Sequence, residues 1–167
     1  MKKTGRPVLK IPRSPLENVT EVLAVLGILA HVLILVYYWP ALPDVIPTHF
    51  GISGEADGWG SKNNLFGLLG ASVFIYVMMT VLNFFPHIFN YPVEITEKNA
   101  RAQYANARLL MNIMKVEIAY LFAYIEWGTV QVALGHASGL DNRIMIALLI
   151  VLLASPLYFI WRMRGTG

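Results

Sequence analysis

Residues 20–38, 65–85, 109–134 and 144–161 form four long apolar runs, and they leave the chain few ways to fold. At about 1.5 Å of rise per residue, the first run alone makes a helix of roughly 28 Å, close to the roughly 30 Å of a bilayer's hydrocarbon core. The whole chain is 56% hydrophobic and only 14% charged, too apolar for a soluble domain of 167 residues. It reads as an all-α membrane protein. The expected architecture is a four-transmembrane-helix bundle in a single integral domain, residues 1–167. A structured extracellular loop over residues 39–64 joins helices 1 and 2, and residues 86–108 form a cytoplasmic loop.

Local signals place the helix ends. Ser14, Pro15 and Glu17 make a capping box with proline at the first helical position. The bulky residues Tyr37 to Pro40 offer no small-residue cleavage site, so the first run reads as a span rather than a leader. Ser61 is placed to cap the second span, which stops at Pro86, and Thr96 to cap a third helix running unbroken to Leu134. In the second span Gly67, Gly70, Ala71 and Ser72 make a small-residue face suited to close approach by another helix. In the fourth, Ser155-Pro156 predicts a kink.

Charge sets the orientation. Eleven Lys and Arg residues fall on one side of the spans, among them Lys2, Lys3, Arg6, Lys10 and Arg13, and only Lys62 and Arg143 on the other. The positive-inside rule puts both termini in the cytoplasm of a prokaryotic plasma membrane, with the basic N-terminal segment along the headgroups. These cations flank apolar runs instead of interleaving with aromatics, so nucleic acid is not an expected partner. The expected partners are the bilayer, a peptide, lipid or ion at the outer face, and a second copy of the chain.

The residues with chemistry gather in the outer loop, LPDVIPTHFGISGEADGWGSK, residues 42–62. His49, Glu55, Asp57 and Lys62 lie there between turn-forming prolines and glycines. Imidazole and carboxylate suit a zinc or manganese ion, with His49 and Asp57 as the candidate ligands, although the spacing matches no established metal motif and no cofactor is required. The competing reading has Asp57 building a turn, His49 bonding a carbonyl and Lys62 capping the loop. The chain has no cysteine, and neither a strand-turn-helix nucleophile elbow nor an HExxH helix is present. Hydrolysis at a metal is therefore the minor alternative, and the expected activity is not enzymatic.

Within the spans, His31, Glu117 and Glu126 stand out because ionisable groups in hydrocarbon are costly and mark a ligand site, a pathway or a buried pair. Glu117 and Glu126 are two and a half turns apart and point to nearly opposite sides of helix 3. His31 and Glu126 sit at matching depths, roughly 12 Å below the outer boundary at 1.5 Å per residue. If helices 1 and 3 are neighbours, the two meet, and they would then floor an outward-facing cavity beneath the loop.

Leu42, Pro43, Ile46, Pro47, His49, Phe50, Gly54, Asp57, Trp59 and Lys62 follow the pattern LPxxIPxHFxxxGxxDxWxxK. On these positions the chain resembles a bacterial and archaeal membrane family of unknown function. Its module also forms the N-terminal part of SdpI-like immunity proteins against a sporulation-delaying peptide toxin, whose further C-terminal membrane part is not found here. The resemblance implies a membrane binding, sensory or immunity-like protein. The alternative from the buried carboxylates is a small ion- or proton-coupled transporter or permeation subunit.

Overall fold

The structure is a computed structural model that describes residues 5–165; Lys2 and Lys3 lie outside the described residues. Four long helices dominate it: α1 (Pro15–Tyr38), α2 (Asn64–Leu82), α3 (Ala100–Ala133) and α4 (Asn142–Gly165). Three segments, Pro15–Ala41, Asn64–Leu82 and Asn142–Gly165, are long and apolar enough to cross a membrane. Their outer faces are bare apolar surface, with Val36 of α1, Phe74 of α2 and Leu153 of α4 all about two-thirds exposed.

The fourth long helix, α3, is more polar, and its position explains why. It packs against α1, α2 and α4 together. Its buried side chains include Gln103, Asn106, Asn112, Lys115, Glu126 and Thr129. A helix enclosed by apolar neighbours keeps its polar groups where other polar groups can satisfy them. The three apolar helices present hydrophobic surface outward, and α3 presents polar surface to them.

Helix α1 enters through the capping box read from its sequence. The Ser14 hydroxyl accepts from the Glu17 amide at 3.2 Å, and the Glu17 carboxylate accepts from the Ser14 amide at 2.6 Å. Thr96 and Asn99 bond each other's amides, at 3.3 and 2.8 Å, so Thr96 closes a turn and the regular helix starts one turn later than expected, at Ala100. From there α3 is unbroken for 34 residues. Ser61 does not cap α2: Asn63 occupies the cap position without a side-chain bond, and the Ser61 hydroxyl accepts from the Asn63 amide instead. Helix α2 also ends earlier than expected, at Leu82. Helix α4 continues through Pro156.

The small-residue contact lies elsewhere than expected. A Cβ on Gly67 or Gly70 would meet nothing within 4 Å, whereas one on Gly27 of α1 would lie 2.8 Å from the Ala119 Cβ of α3. Ala24, at 0% exposure, continues this close seam. The N-terminal segment is also fastened to the bundle. Tyr104 donates to the Pro7 carbonyl at 3.0 Å and Arg108 to that of Ile11 at 2.7 Å, which ties residues 7–11 to the start of α3.

The all-α expectation also needs correction, because the loop after α1 folds as an antiparallel hairpin, β1 (Val45–Phe50) and β2 (Ala56–Ser61). Its base is anchored by Leu42 and Ile46, which pack with Leu35, Leu65 and Val130 where α1, α2 and α3 converge. Its tip is stitched to the α3–α4 connection. The Leu140 amide donates to the Gly54 carbonyl at 2.8 Å, Asn142 donates to the Ile52 carbonyl at 2.9 Å, and Glu55 bridges Gly139. Gly54 sits at φ 85°, and a Cβ there would lie 2.3 Å from the Leu140 carbonyl oxygen, so glycine is required on both counts.

Candidate functional site

The hairpin register decides which loop residues meet. His49 pairs with Gly58 across the ladder, with an irregularity on either side, and this sets its imidazole beside the Asp57 carboxylate. Both side chains are more than half exposed. Glu55 does not join them: its carbonyl accepts from the Gly51 amide and its backbone bridges Gly139, while its residue is exposed. Among the described residues no cluster of three or more His, Asp or Glu side chains is positioned to hold a metal ion.

Lys62 caps the base of the hairpin. Its ammonium donates to the Leu42 carbonyl at 3.3 Å, lies 3.2 Å from the Asp44 carboxylate and sits over the Trp39 ring. Beside the hairpin tip, hydrogen bonds from Arg143 hold the exposed Asp141 carboxyl below its usual range. The Asp141 backbone exchanges bonds with the Tyr124 hydroxyl, which fixes the connection that carries the tip.

Under the hairpin opens a groove of about 520 Å³. Its roof is β1, from Ile46 to Phe50, and its walls are Leu65, Leu68 and Ala71 of α2, Phe122 and Ile125 of α3, and Met145 of α4. Thr48, His49, Asn64 and Thr129 supply the polar part of a lining that is otherwise apolar.

His31 and Glu126 meet, with Nδ1 to Oε2 at 2.7 Å and both side chains at 0% exposure. They do not floor the groove. Ile125 and Glu126 are successive residues, about 100° apart around the helix; Ile125 lines the groove and Glu126 turns to α1. The imidazole Nε2 and the carboxylate Oε1 are both buried without a hydrogen-bond partner among the described residues.

Glu117 faces away from this pair, as its position on α3 requires, and contacts the Ser155 hydroxyl of α4. A second polar layer lies between His31 and the first turn of α1, where sequence reasoning has Glu21 and Lys115 each reaching to the inner surface and misses that they pair. The Lys115 ammonium, with a side chain at 0% exposure, lies 2.6 Å from Glu21 Oε2 and donates to Thr80 at 3.1 Å, while the Tyr76 hydroxyl donates to Glu21 Oε1 at 2.6 Å. One signal was readable: Glu21 lies ten residues before His31 and Lys115 eleven before Glu126, so pairing His31 with Glu126 brings Glu21 and Lys115 to nearly the same level.

A family model described as a domain of unknown function (DUF1648) matches residues 26–74, from the middle of α1 through the hairpin into α2. The chain is 26% identical to an uncharacterized protein of Archaeoglobus fulgidus, over 90% of each chain. No solved structure matches. The matched segment holds the whole hairpin and His31, but not Glu126.

Proposed function

We propose that this is a non-enzymatic binding protein of the plasma membrane, with four spans, both termini inside and the hairpin outside. Its groove takes the apolar part of an amphipathic ligand, and the His49–Asp57 pair meets the ligand's polar end. The observation that carries this reading is the groove itself: apolar walls from three helices under a roof that contributes the His49 imidazole, which in turn contacts the Asp57 carboxylate of β2. An apolar cleft with a few convergent polar groups is the common form of a small-ligand site. The resemblance to SdpI-like immunity proteins suggests an amphipathic peptide as occupant, and a lipid chain shares its chemistry. The fourth span is α3, whose polar residues are enclosed by α1, α2 and α4, and the eleven-to-two distribution of Lys and Arg supports the orientation.

The test uses a photoactivatable diazirine fatty acid added to the protein in nanodiscs. Crosslinks that saturate and concentrate on Leu68, Ala71, Phe122 and Ile125 are expected. Gly67→Phe, which projects a ring where a Cβ meets nothing, should abolish them while sparing labelling of the outer face of α1 at Leu33 and Val36. Equal, unsaturable labelling of both faces would show ordinary lipid contact and remove the site.

A second reading rests on a different observation, the two unpartnered atoms of the buried His31–Glu126 pair. A buried carboxylate and imidazole are the parts of a proton relay, so the chain would act as a proton-coupled unit. Proteoliposomes loaded with a pH-sensitive dye should then acidify under an imposed potential with the native chain and not with Glu126→Gln; identical traces would dismiss the relay.

A further inference from the structure

A second cavity, of about 280 Å³, lies at the opposite end of the bundle from the hairpin, between the N-terminal segment, the end of α2 and the first half of α3. Lys10, Arg13, Arg108 and Lys115 line it, together with Thr80, Asn83 and Asn112, and no carboxylate is among its lining residues. Two of the cations are fixed from behind. Arg108 lies 2.9 Å from Glu17, and Lys115 lies 2.6 Å from Glu21. Lys10 and Arg13 are exposed, and among the described residues neither lies within ion-pair distance of a carboxylate, so the mouth of the cavity keeps an excess of positive charge. The Arg108 Nε–H is buried without an acceptor among the described residues, although two other nitrogens of the same guanidinium are engaged by Glu17 and the Ile11 carbonyl. Guanidinium and ammonium groups are the usual partners of phosphate oxygens, and Arg108 keeps one N–H unspent at the cavity's edge.

We propose that this cavity binds a phosphate group, with Arg108 and Lys115 as the pre-set floor and Lys10 and Arg13 as the closing pair. At about 30 Å³ per water, the volume has room for a phosphate with its substituent. The surroundings favour the headgroup of an anionic lipid over a soluble phosphate. Val8, Phe84 and Ile88, each more than half exposed, stand near the cavity in the same segments, where a bound lipid would direct its chains. Basic pockets between helices at a membrane surface are suited to anionic headgroups. Residues 7–11 pass over the cavity on bonds to Tyr104 and Arg108, so occupancy would tighten the N-terminal segment against α3.

The test compares the full chain in detergent with Lys10→Gln/Arg13→Gln and with Lys98→Gln/Arg101→Gln. The second variant removes equal charge from exposed positions that do not line the cavity. Native mass spectrometry would follow binding of phosphatidylglycerol, phosphatidylcholine and inorganic phosphate. The expected result is a phosphatidylglycerol adduct weakened about tenfold or more by the first variant and unchanged by the second, with no comparable phosphatidylcholine adduct. Inorganic phosphate bound with the same dependence, and phosphatidylglycerol not bound, would keep the site and assign it to a soluble phosphoester. Binding of neither, or equal weakening by both variants, would overturn the proposal.

Discussion

His31 and Glu126 have no solvent to fall back on, so each side chain depends on the other. Removing one partner leaves a buried polar group unsatisfied, whereas replacing both with apolar groups of similar size removes the demand altogether. His31→Leu should therefore lower stability by about 2 kcal/mol, and His31→Leu/Glu126→Leu should return to within about 1 kcal/mol of the native chain. Thermal unfolding in detergent, followed by circular dichroism, measures both, and additive losses would show that the contact carries no coupling. This pair was legible in the sequence because depth along two helices is a matter of counting residues. Glu55 was not, because proximity along a loop says nothing of which backbone groups the turn engages. His49 and Asp57 were named together from the same loop, and it took the hairpin register to show that they touch.

At the scale of the element, α1 and α3 are held by a seam with little freedom. The buried positions of α1, at Thr20, Ala24, Gly27, His31 and Leu35, recur every three or four residues, so one narrow stripe meets α3. Gly27 is where the helices come closest. Gly27→Ala should destabilise the bundle by about 1–3 kcal/mol, since neither its new Cβ nor that of Ala119 can rotate away. Ala119→Gly in the same chain should recover most of the loss. Gly70→Ala, with open space around it, should be neutral or slightly stabilising in the same unfolding assay. If Gly27→Ala behaves like Gly70→Ala, the seam is not close-packed. Small residues of α1 and α3 were as visible in the sequence as those of α2, yet composition alone does not say which small face meets a partner. The strands were hidden for a related reason: β2 carries Gly58 and Gly60, β1 carries Pro47, and neither alternates apolar with polar residue types, although β2 alternates in exposure once folded.

For the whole molecule, the organising fact is a polar helix enclosed by apolar ones. The three segments that pass as spans by length and composition announce themselves in the sequence. Helix α3 does so less clearly, because its polar side chains dilute the apolar run while serving the contacts that hold the others. Reading it as a span requires that its two ends lie on opposite sides of the membrane. The hairpin tip and the α3–α4 connection, bonded to each other, must then share one side. The chain has no cysteine, so single cysteines can be placed without background. The most direct measurement is labelling of Ser53→Cys, Ser138→Cys and Lys98→Cys, three exposed positions, with a membrane-impermeant maleimide on intact cells and on inverted vesicles. Labelling of Ser53→Cys and Ser138→Cys only in cells, and of Lys98→Cys only in inverted vesicles, is the expected result. Labelling of Lys98→Cys and Ser138→Cys from the same side would mean that α3 does not cross the membrane, and the outward groove and the four-span bundle would fall with it.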